Sequence, residues 1–142
     1  MHTMEHQLEM MGRLFEPSKR PELLHPLVLA YIGDGVYEVF VRQHLLSRKN
    51  HKPHHLQKEA VKYVSAKAQA KALEKLMPSL TEPEQEFVRR GRNAKSGTIP
   101  KNASVAEYRH STAFECLIGY LYCTKQYSRL QDIILRVIQE ED

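Results

Sequence analysis

The run "LVLAYIGDGVYEVFV" would be an ordinary core helix but for one acid, Asp34, which has Gly33 and Gly35 on either side. A second run, "STAFECLIGYLY", repeats the arrangement, with Glu115 as its one carboxylate and Gly119 a turn later. An ionised carboxylate in apolar surroundings must be neutralised, paired or bound to a cation. A basic residue on a neighbouring helix is the bland partner for either acid. Two carboxylates brought together would repel one another, and a divalent ion between them removes that repulsion and gives both acids a purpose. The glycines agree with this. Each costs roughly 1 kcal/mol in a helix relative to alanine, and without side chains Gly33 and Gly35 leave room beside Asp34 for another backbone, a water or a ligand.

Other chemistry-bearing residues carry weaker signals. Glu38 lies one turn beyond Asp34 and is expected in a salt bridge or an interface contact rather than on a metal. His51, His54 and His55 cluster at a break and a helix start, which marks a solvated turn. No G-x-S-x-G, Walker loop or H-E-x-x-H pattern occurs. The stretch "RRGRNAKSGTIPK" holds Arg89, Arg90, Arg92, Lys95 and Lys101 without an acid among them. Asn93, Ser96 and the backbone N–H groups of this small-residue stretch add donors suited to phosphate oxygens. Because it lacks aromatic platforms, it suits a duplex backbone better than stacked single strands. Lys58, Lys62, Lys67, Lys71 and Lys75 read as an exposed helix face that extends the basic footprint at most.

The elements that must position these residues are helical. Pro26 fits a first turn, and a long apolar helix follows until "RKNHKP" breaks it. From Pro53, "PHHLQKEAVKYVSAKAQAKALEKLM" reads as one further helix, ended by Pro78. Thr81 and Glu84 stand at capping-box spacing, as do Ser104 and Glu107 at the start of the Glu115 helix. "GRNAKSGTIPKNA" between them reads as a loop. The last segment, "YSRLQDIILRVIQE", places Leu130, Ile133, Ile134 and Val137 on one stripe. The expected architecture is all-α, a single helical bundle of about five or six helices.

Length and composition agree with that. The 142 residues suffice for one domain, and 42% hydrophobic with 27% charged residues is a globular balance. The net charge of +4 permits nucleic-acid binding without requiring it. No long apolar segment suggests a membrane span, and "MHTMEHQLEMMGRLFEP" lacks the apolar stretch of a secretory signal, so the cytoplasm is the expected location. The two cysteines, Cys116 and Cys123, would stand ~10 Å apart on one helix, too far for a disulfide, and are expected as buried thiols.

Taken together, "YIGDGVYE", "RGRNAKSG" with the following "PKN", and "YRHSTAFECLIGYLY" resemble the catalytic domain of the ribonuclease III family, and most closely its short bacterial Mini-III branch. The resemblance runs over nearly all of the chain beyond Leu27. It implies a ribonuclease III-like domain over residues 23–142 after an N-terminal segment, 1–22. The implied protein is a homodimer that hydrolyses double-stranded RNA with Mg²⁺, leaving 5′-phosphate and 3′-hydroxyl ends. On the matching positions Asp34 and Glu115 would be the metal-binding catalytic carboxylates. The implied biological role is maturation of the ends of precursor 23S ribosomal RNA, with a ribosomal protein as helper. Two features depart from full-length ribonuclease III. Ala30 and Thr112 stand where that enzyme has a glutamate and an aspartate, and no double-stranded-RNA-binding domain is present, so weak, salt-sensitive binding is expected. The missing acids leave open a competing reading, a non-catalytic double-stranded-RNA-binding or ribosome-associated module on a degenerate nuclease fold. A metal-dependent phosphohydrolase acting on nucleotides lacks a His-Asp motif and would leave the basic stretch idle.

Overall fold

The computed structural model describes residues 14–95 and 104–141. Among them are six α-helices: α1 (Pro26–Leu46), α2 (Pro53–Val64), α3 (Ala66–Leu76), α4 (Glu82–Asn93), α5 (Val105–Cys123) and α6 (Tyr127–Glu141). Two single 3₁₀ turns, Pro21–Leu23 and Met77–Ser79, complete the set, and the described residues contain no strand. No helix among the described residues is long and apolar enough to cross a membrane.

Local chemistry sets the helix starts. Prolines open α1 and α2, and the side chain of His25 accepts from the N–H of Leu27 at the start of α1. Both expected capping boxes are present: Thr81 with Glu84 on α4, and Ser104 with Glu107 on α5. The segment from Pro53 to Leu76 is two helices rather than one. Ser65 adopts an extended backbone (ψ 154°), and its hydroxyl accepts from the N–H of Ala68 at 3.2 Å, so it ends α2 and caps α3. A serine competes for backbone hydrogen bonds and is favoured at a cap over a helix interior.

The hub is α5, which packs against α1, α3 and α4. Phe114 of α5 meets Tyr37 of α1 edge to face at 4.9 Å, and Tyr120 stacks on Phe87 of α4 at 4.0 Å. From α6, Leu130, Ile133, Ile134 and Val137 are buried, as their stripe requires. Glu84 has a second role beyond its cap: it is 2% exposed and takes a two-pronged ion pair from Arg129 of α6, with Nε and Nη2 each 2.9 Å from a carboxylate oxygen. Burial alone would raise its pKa, but the Arg129 and Thr81 hydrogen bonds outweigh that and lower it. The pair therefore stabilises the fold at neutral pH and is lost as acid protonates Glu84.

Glycine sets the spacing at the centre. A Cβ added to Gly33 would lie 1.9 Å from the Glu115 carbonyl oxygen, and one added to Gly119 would lie 1.9 Å from the Leu29 carbonyl oxygen. The two helices thus meet backbone to backbone. Gly35 differs: a Cβ there meets nothing within 4 Å, so the close approach expected beside both glycines occurs at Gly33 alone. Gly33→Ala is expected to destabilise the protein by at least ~1–3 kcal/mol through overpacking. Gly35→Ala should stabilise it by up to ~1 kcal/mol through helix propensity. Urea unfolding of both variants checks the contrast, and equal shifts in the same direction would contradict it.

Candidate active site

The α1–α5 crossing brings together the two carboxylates singled out in the sequence. Asp34 follows Gly33 directly, and Gly33 lies against the backbone of Glu115. Asp34 is exposed and Glu115 is half-buried, so the pair sits at the edge of the apolar core rather than inside it. The outward face of α1 at this level also carries Tyr31 and Gly35. Burial pushes the Glu115 carboxyl up to about 8, helped by the Asp34 carboxyl within hydrogen-bonding reach and by its charge. The amide of Gln69 opposes that shift, and the charge of Glu38 adds slightly to it. Near neutral pH the Glu115 carboxyl therefore keeps its proton more readily than an ordinary glutamate does.

An acid held protonated by burial and by a second acid is one that a cation can hold ionised instead. Oxygen donors of this kind suit a hard ion such as Mg²⁺. A buried amide, that of Gln69, lies within reach of Glu115, and its Nε2 makes no hydrogen bond. Among the described residues no group of three or more His, Cys, Asp or Glu side chains converges as a ready-made cage. Among the described residues the carboxylate pair is the candidate donor set. Ala30 and Thr112, at the positions of the missing acids, are both 6% exposed, and the Thr112 hydroxyl is spent on the Tyr108 carbonyl at 3.1 Å.

The remaining candidates separate clearly. Glu38 pairs with Arg42 at 3.0 Å, the salt bridge expected of it. The His51 ring bonds the carbonyls of Leu46 and Arg48 at 3.0 and 2.7 Å, which closes the turn after α1. The five lysines of α2 and α3 are exposed, and Lys62 pairs with Glu59 at 2.7 Å. Cys116 and Cys123 are free thiols, and burial pushes Cys116 up to about 12, far from reactive.

The basic stretch is corrected in part. Arg89, Arg90, Arg92 and Asn93 belong to α4 and not to a loop. Gly91 lets the helix continue there: its Cα lies so close to α5 that an added Cβ would be 2.7 Å from the Cys116 Cβ and 2.9 Å from the Ala113 Cα. That contact seats the basic end of α4 on the turn of α5 that carries Glu115. Arg89 and Arg90 both pair with Glu86, and Arg90 also lies over the Phe87 ring at 4.7 Å and donates to the Glu22 carbonyl at 3.3 Å. Arg92, Asn93 and Lys95 are exposed. Ser96 and Lys101 lie outside the described residues.

Sequence reasoning passed over Gln69. Its α3 stripe reads Gln69, Leu73, Leu76, all buried, and a polar residue at the first of three core positions was the available signal.

An all-helical bundle with paired carboxylates at its central crossing, and a basic helix end packed on the same α5, has the groups that a metal-assisted phosphodiesterase would use. The Ribonuclease III domain model matches residues 27–126, and the chain belongs to that family. It is 52% identical over 119 residues to a Mini-ribonuclease 3 of Brevibacillus brevis, covering 84% of this chain and 89% of that protein. A Mini-ribonuclease 3 of Symbiobacterium thermophilum is 53% identical over 114 residues, 80% of this chain and 88% of that protein. A crystal structure of a protein from Fusobacterium nucleatum superposes with a TM-score of 0.79 at 32% identity, over 88% of this chain and all (100%) of that one. The protein is an endoribonuclease of the ribonuclease III family, whose members act on RNA, are generally dependent on a divalent metal and are often dimers. The reading as a non-catalytic module is set aside on that ground.

A raised acid pKa stabilises the protonated form of the folded protein. The contribution of Glu115 is therefore complete below its ordinary value of 4.5 and is lost as pH rises towards about 8. The melting temperature of metal-free protein should fall over that range, and Glu115→Gln, neutral throughout, should flatten the fall. Parallel pH profiles for the two proteins would contradict the carboxylate coupling.

Proposed function

We propose that this endoribonuclease hydrolyses double-stranded RNA using Mg²⁺ held by Asp34 and Glu115. The observation that carries the reading is the juxtaposition of those two carboxyls, with Asp34 within hydrogen-bonding reach of the half-buried Glu115. When bound, a divalent ion at such a site supplies positive charge to phosphate oxygens and lowers the pKa of a bound water. The protein's own contribution is positional. Asp34, exposed on α1, and Glu115, half-buried on α5, face the substrate from two rigid helices rather than from loops. In the proposed reaction water oxygen bonds to phosphorus as the bond to the 3′ oxygen breaks, which leaves a 5′-phosphate and a 3′-hydroxyl.

RNA contact is assigned to Arg92, Asn93 and Lys95 at the end of α4, with Ser96 and Lys101 beyond it. Arg89 and Arg90 join the proposed surface less directly, since Glu86 already holds both. Charges on one exposed helix end grip phosphates without reading bases, which supports recognition of duplex shape. We assign the catalytic domain to residues 23–142 and the active form to a homodimer. Supporting the latter, Tyr31 on α1 is 82% exposed one turn before Asp34, and Leu23 and Val28 extend the apolar face beside it. The proposed physiological substrate is the precursor of 23S ribosomal RNA in the cytoplasm, with a ribosomal protein as helper. The names of the Mini-ribonuclease 3 relatives and the resemblance in "RGRNAKSG" and "STAFE" support the placement in that branch.

Two measurements test this. Asp34→Asn and Glu115→Gln should each lower cleavage of a long RNA duplex by more than ~100-fold, beyond the loss typical of an outer-shell partner, while duplex binding in a gel assay persists. Near-normal turnover in either variant would remove that residue from the role. Arg92→Glu should weaken duplex binding regardless of sequence and reduce its salt dependence. Unchanged binding would mark Arg92 as merely solvated.

A further inference from the structure

Gln69 occupies a place that packing alone does not explain. In α3, Gln69, Leu73 and Leu76 form the buried stripe, and the residues flanking Gln69 are alanines, Ala68 and Ala70. A leucine at 69 would continue the stripe. Instead the helix buries an amide to 2% exposure and leaves its Nε2 without a hydrogen-bond partner. A buried donor left unpaired costs about 1–3 kcal/mol, so a fold that keeps one has either a use for it or a partner that arrives later.

The amide is aimed at the active site. Its side chain lies within hydrogen-bonding reach of the Glu115 carboxyl, and its Nε2 is engaged nowhere else. An amide N–H can only donate, so its natural acceptor is a carboxylate oxygen. Glu115 thus has within reach both a second acid, Asp34, and a donor from α3. A donor on the far side of a metal-binding carboxylate fixes the rotation of the carboxyl group and turns its other oxygen outward, the usual task of an outer-shell partner.

We propose that Gln69 is a positioning residue: its buried side-chain amide hydrogen-bonds one oxygen of the Glu115 carboxylate and so presents the other, together with Asp34, to a divalent cation. The inference rests on the reading of Asp34 and Glu115 as the cation site. It assigns a third helix, α3, to a site otherwise built from α1 and α5. It also explains why the apolar stripe is interrupted at this one position.

The test replaces the amide while keeping its shape. Gln69→Met removes the donor with little change in volume, and Gln69→Leu extends the apolar stripe. Mn²⁺ alone is titrated into each protein, with water proton relaxation and thermal shift as readouts, and duplex cleavage is followed against Mg²⁺ concentration. The metal-free variants should melt at or above the wild-type temperature, because an unpaired buried group is gone. The Mn²⁺ concentration for half-saturation, and the Mg²⁺ concentration for half-maximal cleavage, should each rise ~10–100-fold, with much of the rate recovered at saturating metal. Wild-type metal dependence in both variants would overturn the proposal. So would a lowered melting temperature with unchanged metal dependence, the mark of a residue that only packs. Asp34→Asn serves as the control: if it retains wild-type Mn²⁺ binding, the carboxylate site itself is wrong. If it loses that binding while both Gln69 variants keep it, the role of Gln69 alone falls.

Discussion

Gly33 and Gly119 occupy complementary positions where α1 crosses α5: the first lies against the Glu115 carbonyl, the second against the Leu29 carbonyl. Neither contact tolerates a Cβ, so each helix uses the missing side chain of the other to bring the backbones together. Such a crossing trades helix propensity for proximity. Asp34 and Glu115, adjacent to or part of that contact, inherit its spacing. Side-chain packing between leucines would hold the helices ~8–10 Å apart and carry the carboxyls away from each other. The nearness of the two acids is therefore a consequence of the backbone contact, and it adds to the burial that raises the Glu115 carboxyl.

The rest of the bundle fixes what that crossing leaves free. Through Gly91, α4 sits on the same turn of α5, and its other end is anchored by Glu84, which caps the helix and holds Arg129 of α6. The rod so fixed has a basic end beside the acid pair. Both the basic residues and the acid pair are thus carried on helices rather than on loops. Arg89 and Arg90 serve the rod more than the ligand, since Glu86 neutralises them and Arg90 packs on Phe87.

Much of this was legible in the sequence, for identifiable reasons. A lone acid in an apolar run is a compositional anomaly, and both Asp34 and Glu115 announced themselves that way. The capping boxes at Thr81 and Ser104 and the stripe of α6 are local patterns, and they held because nothing tertiary opposes them. The failures are tertiary. The helical pattern runs unbroken through Ser65, so the end of α2 there depends on how α3 must lean on α5. "RRGRN" contains a glycine that reads as a breaker, but Gly91 is a contact point, and its helix continues. Gly35 stands apart, since no part of the described chain approaches it and its side is open space. Gln69 stayed hidden because a glutamine among alanines and lysines is unremarkable until its burial is known.

The account stands on the claim that a fixed pair of side chains, from α1 and α5, receives a metal ion. Anomalous X-ray diffraction from crystals soaked in Mn²⁺ addresses that claim without recourse to activity. The account predicts a peak beside the carboxyls of Asp34 and Glu115 that disappears in Asp34→Asn. A peak elsewhere, or no peak there at saturating Mn²⁺, would contradict it.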